Sequence, residues 1–162
     1  MGKINVGVLI YSIFIPLLVG GLSAALTAKS MIIYGSMNKP PLSPPAWAFP
    51  VAWTLLYIMM GLASYFVIVA QTDAQSKRMA LILYGVQLAM NFMWSIIFFL
   101  WGMYLLAFIW LMIMWLLIII CAARFYDINR TATYLFIPYI VWITFAAYLN
   151  FGSYLLNMRS KY

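Results

Sequence analysis

Tryptophan, tyrosine and amide side chains recur at helical spacing in three stretches that hold no charged residue. Intervals of three and four residues place such side chains on one face of a helix. An indole N–H donates one hydrogen bond, and a side-chain amide both donates and accepts. Together these faces predict a pocket for a flat, mainly apolar molecule with a weakly polar edge. The three sets are Trp53, Tyr57 and Gly61; Tyr84, Gln87, Asn91, Trp94 and Phe98; and Pro138, Trp142, Ala146 and Asn150.

The residue types on which most enzymes depend are missing from these stretches. The chain has no histidine, and its nine basic and two acidic residues lie at or outside the ends of the predicted membrane spans. Proton relays, carboxylate pairs, histidine or cysteine metal sites and hydrolytic triads are therefore excluded. The single cysteine, Cys121, is expected to be a small core residue. We expect no bound metal and no obligatory cofactor.

The composition requires membrane helices to carry these faces. Of 162 residues, 68% are hydrophobic and 7% are charged, which a water-soluble domain of this size would not tolerate. Three charge-free intervals each suit one crossing of a hydrocarbon core about 30 Å thick. The interval from Met79 to Ala123 is twice as long and must fold back, most simply at Trp101-Gly102-Met103. The prediction is a single all-α domain, 1–162, an integral membrane bundle of five helices at approximately 5–28, 46–70, 79–100, 104–124 and 131–156.

A proline-rich segment connects the first two helices. Five prolines fall between residues 40 and 50. Each fixes φ near −65° and removes a backbone donor, so the segment should be a stiff, extended strap. We therefore predict that loop 29–45 forms a lid over the pocket.

Other parts of the chain are expected to contact lipid or further helices. The fourth helix has large apolar side chains on all sides and is predicted to lie outside the pocket. The first contains small residues four apart, which allow close approach of a helix from the same chain or from a second copy. The net charge of +7 comes from residues isolated at helix ends. This distribution fits anchoring to membrane lipid, and because no basic stripe forms we expect no nucleic-acid partner.

The amides and indoles have two interpretations. Gln87 and Asn91 must point into the bundle, because an amide facing lipid would leave its donors and acceptors unsatisfied. Hydrogen bonding between helices is the simpler role, at about 0.6 to 2 kcal/mol per contact; orienting ligand oxygens is the other. Trp53 and Trp142 are likewise either core packing or donors to a ligand carbonyl or carboxylate.

Four motifs follow one another along the chain. They are Lys39-Pro40 with Pro44-Pro45-x-Trp47; Trp53-Thr-Leu-Leu-Tyr57 with Met60-Gly61 and Ala63-Ser64-Tyr65; Gln87-Leu-Ala-Met-Asn91 with Trp94 and Phe98-Phe99; and Pro138-Tyr139 with Trp142, Phe145 and Leu149-Asn150. In this order they resemble the translocator protein family, also called peripheral-type benzodiazepine receptors or tryptophan-rich sensory proteins. The similarity covers nearly the whole chain. It implies a five-helix bundle, often a homodimer, whose pocket is closed by the loop after the first helix.

The resemblance also implies ligands and site residues. Family ligands include porphyrins such as protoporphyrin IX, sterols, and synthetic benzodiazepine-type or isoquinoline carboxamide drugs. In bacterial members two pocket tryptophans take part in light- and oxygen-dependent breakdown of protoporphyrin, and these match Trp53 and Trp142, the expected catalytic residues. The further expected ligand-binding residues are Tyr34, Pro44, Pro45, Tyr57, Gln87, Asn91, Trp94 and Ala146.

Some positions depart from the family pattern. Ile33 and Leu42 stand where the family usually has tryptophan, so the lid is poorer in aromatic side chains. The sterol-recognition pattern of animal members has Phe151 at its tyrosine position. Its loose consensus is met, after a shift, by Leu149, Tyr154 and Arg159.

Three functions remain open at this stage. The leading interpretation is a receptor or scavenger in a bacterial cell membrane or an organelle membrane that binds a porphyrin, as ligand or substrate, beneath the loop. Degradation of the porphyrin would then proceed through the two tryptophans. The alternative is a non-enzymatic sensor or transport component for tetrapyrroles, sterols or other lipids. The third is a structural bundle that joins other membrane proteins, which predicts no saturable ligand.

Overall fold

Five helices account for almost all of the chain. The computed structural model describes residues 4–158, apart from the side chains of residues 31–34, 36 and 158. Each helix is long and apolar enough to cross a membrane, and the described residues form no strand. The predicted all-α membrane bundle of five helices is therefore confirmed. The helices are α1 Val6–Ser36, α2 Ala48–Val69, α3 Ala74–Ser95, α4 Tyr104–Ile128 and α5 Arg130–Met158, and a π-helical turn, Ile96–Leu100, continues α3.

The helices form a closed ring around an apolar core. Each packs on the next in the order α1, α2, α5, α4, α3, and α3 returns to α1. α2 and α3 also meet across the ring. Large apolar side chains fill the centre, and the fully buried ones include Met60, Leu111, Met114, Phe136 and Ile143.

The first helix is longer than the sequence predicted. It continues to Ser36, past the expected end at residue 28. Lys29 does not interrupt it, because a lysine can keep its stem on apolar surface while its ammonium group reaches the interface. Beyond the helix, the Lys39 ammonium donates to the Gly35 carbonyl oxygen at 3.1 Å and satisfies one of the last free carbonyl groups. The connecting loop is therefore residues 37–47, where 29–45 was predicted.

The third helix begins at Ala74, before the expected start at residue 79. Asp73 caps it, since its Oδ1 accepts a hydrogen bond from the Ser76 backbone N–H at 2.7 Å. This bond holds the pKa of the exposed Asp73 carboxyl below its usual value. The cap therefore stabilises the helix above that usual pKa, and its contribution is lost as the pH falls through the lowered one. Lys77 donates to two carbonyl oxygens at the end of α2, at 2.8 and 2.9 Å, and joins the two helices.

Two glycines set the close approach of α1 to α2. A Cβ atom on Gly61 would lie 2.6 Å from the Ile13 Cα and 2.7 Å from the Ser12 carbonyl oxygen. Gly20 of α1 lies against the ring of Tyr57, where a Cβ atom would also collide. At these positions the small residues serve packing within the chain.

The break between α3 and α4 lies at the predicted glycine. Gly102 has a φ of +62°, a region that glycine adopts without steric cost. In the π-helical turn before it, the Trp101 N–H donates to the Ile96 carbonyl oxygen at 3.0 Å, five residues back instead of four. Such turns often occur beside functional sites.

The loop of residues 37–47 is fastened to the second half of α5. Two α5 side chains donate hydrogen bonds to loop carbonyl oxygens, and a glycine of α5 packs against a loop proline. These contacts hold the loop as a strap across the end of the bundle. They are Tyr148 Oη to Pro41 O at 2.8 Å, Asn157 Nδ2 to Asn38 O at 3.0 Å, and Gly152 against the Pro40 ring.

Leu42 lies at the outer tip of this loop. Its φ is +65°, a left-handed conformation that is uncommon for leucine. Its side chain is 82% exposed. The position at which the family usually has tryptophan thus points away from the bundle in this chain.

Candidate ligand-binding site

A cavity of about 310 Å³ lies in the half of the bundle nearest the loop. This volume is at the lower end of the range for small-molecule sites, about 300 to 1,000 Å³. α1, α2, α3 with its π-helical turn, and α5 form the walls. No residue of α4 lines the cavity, which agrees with the expectation that the fourth helix lies outside the pocket.

Two tryptophans from different helices meet in this cavity. Trp53 of α2 and Trp142 of α5 lie edge to face, with ring centroids 6.4 Å apart and an interplanar angle of 82°. Trp53 also stacks on Tyr57 at 5.5 Å, and Phe49 meets the edge of Trp142 at 6.1 Å. Each such pair attracts by about 0.5 to 1.5 kcal/mol beyond its burial. The structure thus brings together the two residues that were predicted to be catalytic.

The indole N–H of Trp142 is buried and has no hydrogen-bond partner among the described residues. An unsatisfied buried donor costs about 1 to 3 kcal/mol. The buried hydroxyls of Ser12, Tyr84 and Ser153 are also unpartnered, but these residues do not line the cavity. A ligand carbonyl or carboxylate oxygen beside Trp142 would satisfy its donor.

Trp94 forms a second aromatic wall. Its ring stacks on Phe98 at 5.2 Å with an interplanar angle of 23°. Its N–H donates to Asn150 Oδ1 at 3.2 Å, so this indole, unlike that of Trp142, is satisfied. Of the predicted ligand-binding residues, Trp53, Tyr57, Trp94, Trp142 and Ala146 line the cavity.

The predicted amides Gln87 and Asn91 lie behind the cavity wall. A chain of hydrogen bonds runs from Tyr57 Oη to Asn91 Oδ1 at 3.0 Å, from Asn91 Nδ2 to Tyr139 Oη at 2.9 Å, from Tyr139 Oη to Gln87 Oε1 at 2.9 Å and from Gln87 Nε2 to Met60 Sδ at 3.7 Å. A thioether only accepts, so every donor points from Tyr57 towards Met60. The expectation that the two amides contact a ligand is not met in this arrangement, because both side chains join α2, α3 and α5 and neither lines the cavity.

Replacing Asn91 with leucine is expected to destabilise the bundle by about 1 to 3 kcal/mol, because the Tyr57 hydroxyl loses its acceptor in a buried place. Thermal unfolding of the purified protein in detergent measures the effect as a lower midpoint. Asn157→Leu, which removes an amide at the exposed loop, is the control and should shift the midpoint less. An unchanged midpoint for Asn91→Leu would contradict a stabilising role for the network.

The loop contributes less to the cavity than the sequence predicted. Pro44 and Pro45 do not line it, whereas the neighbouring Ala46 and Pro50 do. The reason is the longer α1, which shortens the loop, together with the contacts that hold residues 38–41 on α5. Tyr34 belongs to α1, and its side chain lies outside the described part of the structure.

The residues predicted for sterol recognition have different surroundings. Leu149 is buried in the cavity wall. Tyr154 is partly buried and packs against Phe151, with ring centroids 6.2 Å apart. Arg159 lies outside the described residues.

The sequence interpretation overlooked the wall formed by α1. Gly20, Ser23 and Ala24 line the cavity, yet none of them has side-chain chemistry that draws attention. A signal was present, because Ser23 and Thr27 are one helical turn apart in an otherwise apolar helix. Both are buried, and so they mark the face of α1 that turns inward.

The cavity opens between α1 and the beginning of α2. Ala24, Ala46 and Pro50 line the cavity and are also exposed at the outer surface. Ala24 lies inside the membrane-spanning part of α1, six residues before its end at Ser30. No charged side chain lines the cavity. A molecule dissolved in the bilayer can therefore enter from the side.

Comparisons with known proteins agree with this architecture. A model of the TspO/MBR family matches residues 12–155. The chain is 40% identical to a tryptophan-rich sensory protein of Cereibacter sphaeroides over 124 residues, which are 76% of each chain. It is 34% identical to a tryptophan-rich protein TspO of Archaeoglobus fulgidus over 154 residues, 94% of this chain and 99% of that protein. It is 35% identical to a translocator protein of Ovis aries over 130 residues, 79% and 76% of the two chains.

Proposed function

The chain belongs to the TspO/MBR family, and we propose that it is a membrane receptor that binds a porphyrin of the protoporphyrin IX type in the cavity. Its relatives bear names such as sensory protein and translocator protein, which support a receptor or sensor role in a membrane. The porphyrin, a bacterial cell membrane as location and a homodimer as assembly are parts of the proposal.

The pair of Trp53 and Trp142 carries this proposal. A porphyrin is a flat apolar macrocycle with carboxylates along one edge. Aromatic rings line an uncharged cavity, and the unpartnered Trp142 N–H offers a donor to one carboxylate oxygen. The cavity of about 310 Å³ is small for a whole macrocycle, so we expect α1 or the loop to move outward on binding. Isoquinoline carboxamide and benzodiazepine-type molecules combine flat rings with a carbonyl acceptor and are expected in the same cavity.

We expect light and oxygen to drive degradation of the bound porphyrin. Excitation by light makes the macrocycle an oxidant, and an indole in contact with it gives up one electron. The reduced macrocycle passes this electron to molecular oxygen, and the reduced oxygen species attacks the ring. Trp53 and Trp142 are the electron donors in this scheme, which depends on contact between the reacting groups.

A non-enzymatic sensor or transport component is the second candidate. One observation favours it: the loop of residues 37–47 is fastened to α5, the helix that carries Trp142 and Ala146. A ligand that displaces α5 would change these contacts and so report occupancy at the membrane surface. Tetrapyrroles, sterols and other lipids are the ligand classes for this function.

A titration of the purified protein with protoporphyrin IX in darkness and in light tests these functions. Porphyrin fluorescence and tryptophan quenching are followed together. Saturable binding with several turnovers in light, lost in Trp142→Phe, supports the degrading receptor. Stoichiometric binding without product favours the sensor. Absence of saturable binding contradicts both and leaves a structural bundle.

Replacing Ala24 with tryptophan is expected to slow association of protoporphyrin IX at least about tenfold, because the larger side chain obstructs the opening between α1 and α2. Stopped-flow tryptophan quenching in lipid vesicles measures the rate. Ala25→Trp is the matched control, since Ala25 is exposed on the same helix but does not line the cavity. Equal association rates for the two variants would place the entry route elsewhere.

A further inference from the structure

Asn150 connects three helices beside the cavity. Its side chain is 1% exposed and belongs to the cavity wall. Its Oδ1 accepts the indole N–H of Trp94 at 3.2 Å, and its Nδ2 donates to the Tyr104 carbonyl oxygen at 2.8 Å. One amide of α5 thereby holds the end of α3 and the first residue of α4.

Both partners of this amide are one-directional. An indole N–H only donates, and a backbone carbonyl only accepts. The Asn150 amide therefore has one possible orientation, with its oxygen towards Trp94 and its nitrogen towards Tyr104. Leucine has the same approximate size but offers neither group, and an ionised aspartate offers no donor.

The Trp94 ring is held in a defined plane by these contacts. It stacks on Phe98 at 5.2 Å, and Phe98 in turn meets Tyr104 at 5.1 Å. Trp94 and Phe98 both line the cavity and immediately precede or belong to the π-helical turn. An indole whose N–H is bound to Asn150 presents its face and not its donor.

We propose that Asn150 is a positioning residue that assigns different roles to two indoles of one cavity. By binding the Trp94 N–H it makes Trp94 a flat stacking surface, and it leaves the unpartnered Trp142 N–H to bind an acceptor. The ligand class is then a flat aromatic molecule with a carbonyl or carboxylate on the edge that faces Trp142. This inference rests on the proposed function only in that a flat ligand occupies the cavity.

The test begins without ligand, with indole ¹⁵N–¹H spectra of the detergent-solubilised protein, in which Trp94→Phe assigns the Trp94 signal. In Asn150→Leu the Trp94 N–H signal should move upfield, and its exchange with deuterated water should accelerate at least about tenfold. Asn157→Leu, an amide deletion on the same helix outside the cavity, should leave the signal in place. Asn150→Asp at acidic pH, where a neutral carboxyl group supplies both donor and acceptor, should restore it.

Ligand binding forms the second part of the test, with an isoquinoline carboxamide as the probe. Addition of the probe should move the Trp142 N–H signal in the native protein, and its dissociation constant should rise about tenfold in Asn150→Leu. A Trp94 signal unchanged in both Asn150 variants would overturn the proposal. A Trp94 signal that responds as expected, with no binding of the carboxamide or of protoporphyrin IX to the native protein, would support the positioning role and refute the proposed function.

Discussion

Replacing Trp142 with phenylalanine should raise the dissociation constant for protoporphyrin IX about tenfold or more and abolish its light-dependent loss. The variant keeps most of the aromatic packing against Trp53 and Phe49 but deletes the buried N–H that has no partner in the protein. A hydrogen bond to a charged acceptor contributes about 1.5 to 3 kcal/mol, which corresponds to a factor of ten or more in affinity. Equilibrium quenching in darkness measures the affinity, and porphyrin absorbance under illumination measures the loss.

Trp115→Phe is the matched control for this experiment. Its indole N–H donates to Thr144 Oγ1 at 2.9 Å, outside the cavity. Affinity and photochemistry should both be preserved in the control. If Trp142→Phe behaved like Trp115→Phe, the indole N–H of Trp142 would have no part in binding, and the proposed function would lose its main support.

Replacing Gly61 with alanine is expected to lower stability by about 1 to 3 kcal/mol, as overpacking of a close contact does. The new methyl group would meet the backbone of α1 at Ser12 and Ile13, which cannot rotate away as a side chain can. α1 must then move outward, and with it the cavity wall at Gly20 and Ala24. We therefore expect a lower unfolding midpoint together with a weaker affinity for protoporphyrin IX, reduced about tenfold.

Gly85→Ala separates this steric effect from helix propensity. A Cβ atom on Gly85 would have no neighbour within 4 Å. Alanine is favoured over glycine in a helix by about 1 kcal/mol, so this control should leave stability unchanged or raise it. Equal midpoints for the two variants would show that α1 and α2 are not held together at Gly61.

The five membrane crossings followed from the distribution of charge, but the helix ends did not. Charged residues lie where the chain leaves the hydrocarbon, and this fixes the number of spans. Helices can continue into the interface and beyond, since their backbone hydrogen bonds are satisfied there as well. α1 therefore passes Lys29 and reaches Ser36, and α3 begins at its cap beside Asp73.

The partners of the buried amides were likewise beyond the reach of periodicity. Spacing places Gln87 and Asn91 on the inward face of α3, and it does so correctly. Which groups meet them depends on the rotation and depth of α2 and α5, and on Tyr139, whose hydroxyl bridges the two amides. Trp53 and Trp142 were easier to place, because two large rings on inward faces at similar depth have few other places to pack. The α1 wall was missed because small residues define space and not chemistry.

The π-helical turn of residues 96–100 has a consequence for changes in chain length. A π turn holds one residue more than the α turn that it replaces. Deleting one residue there would restore a regular helix but would rotate everything after it by about 100° relative to Trp94, since each residue of an α-helix turns by that angle. Tyr104 would no longer meet Asn150, so this short segment should tolerate substitution far better than insertion or deletion.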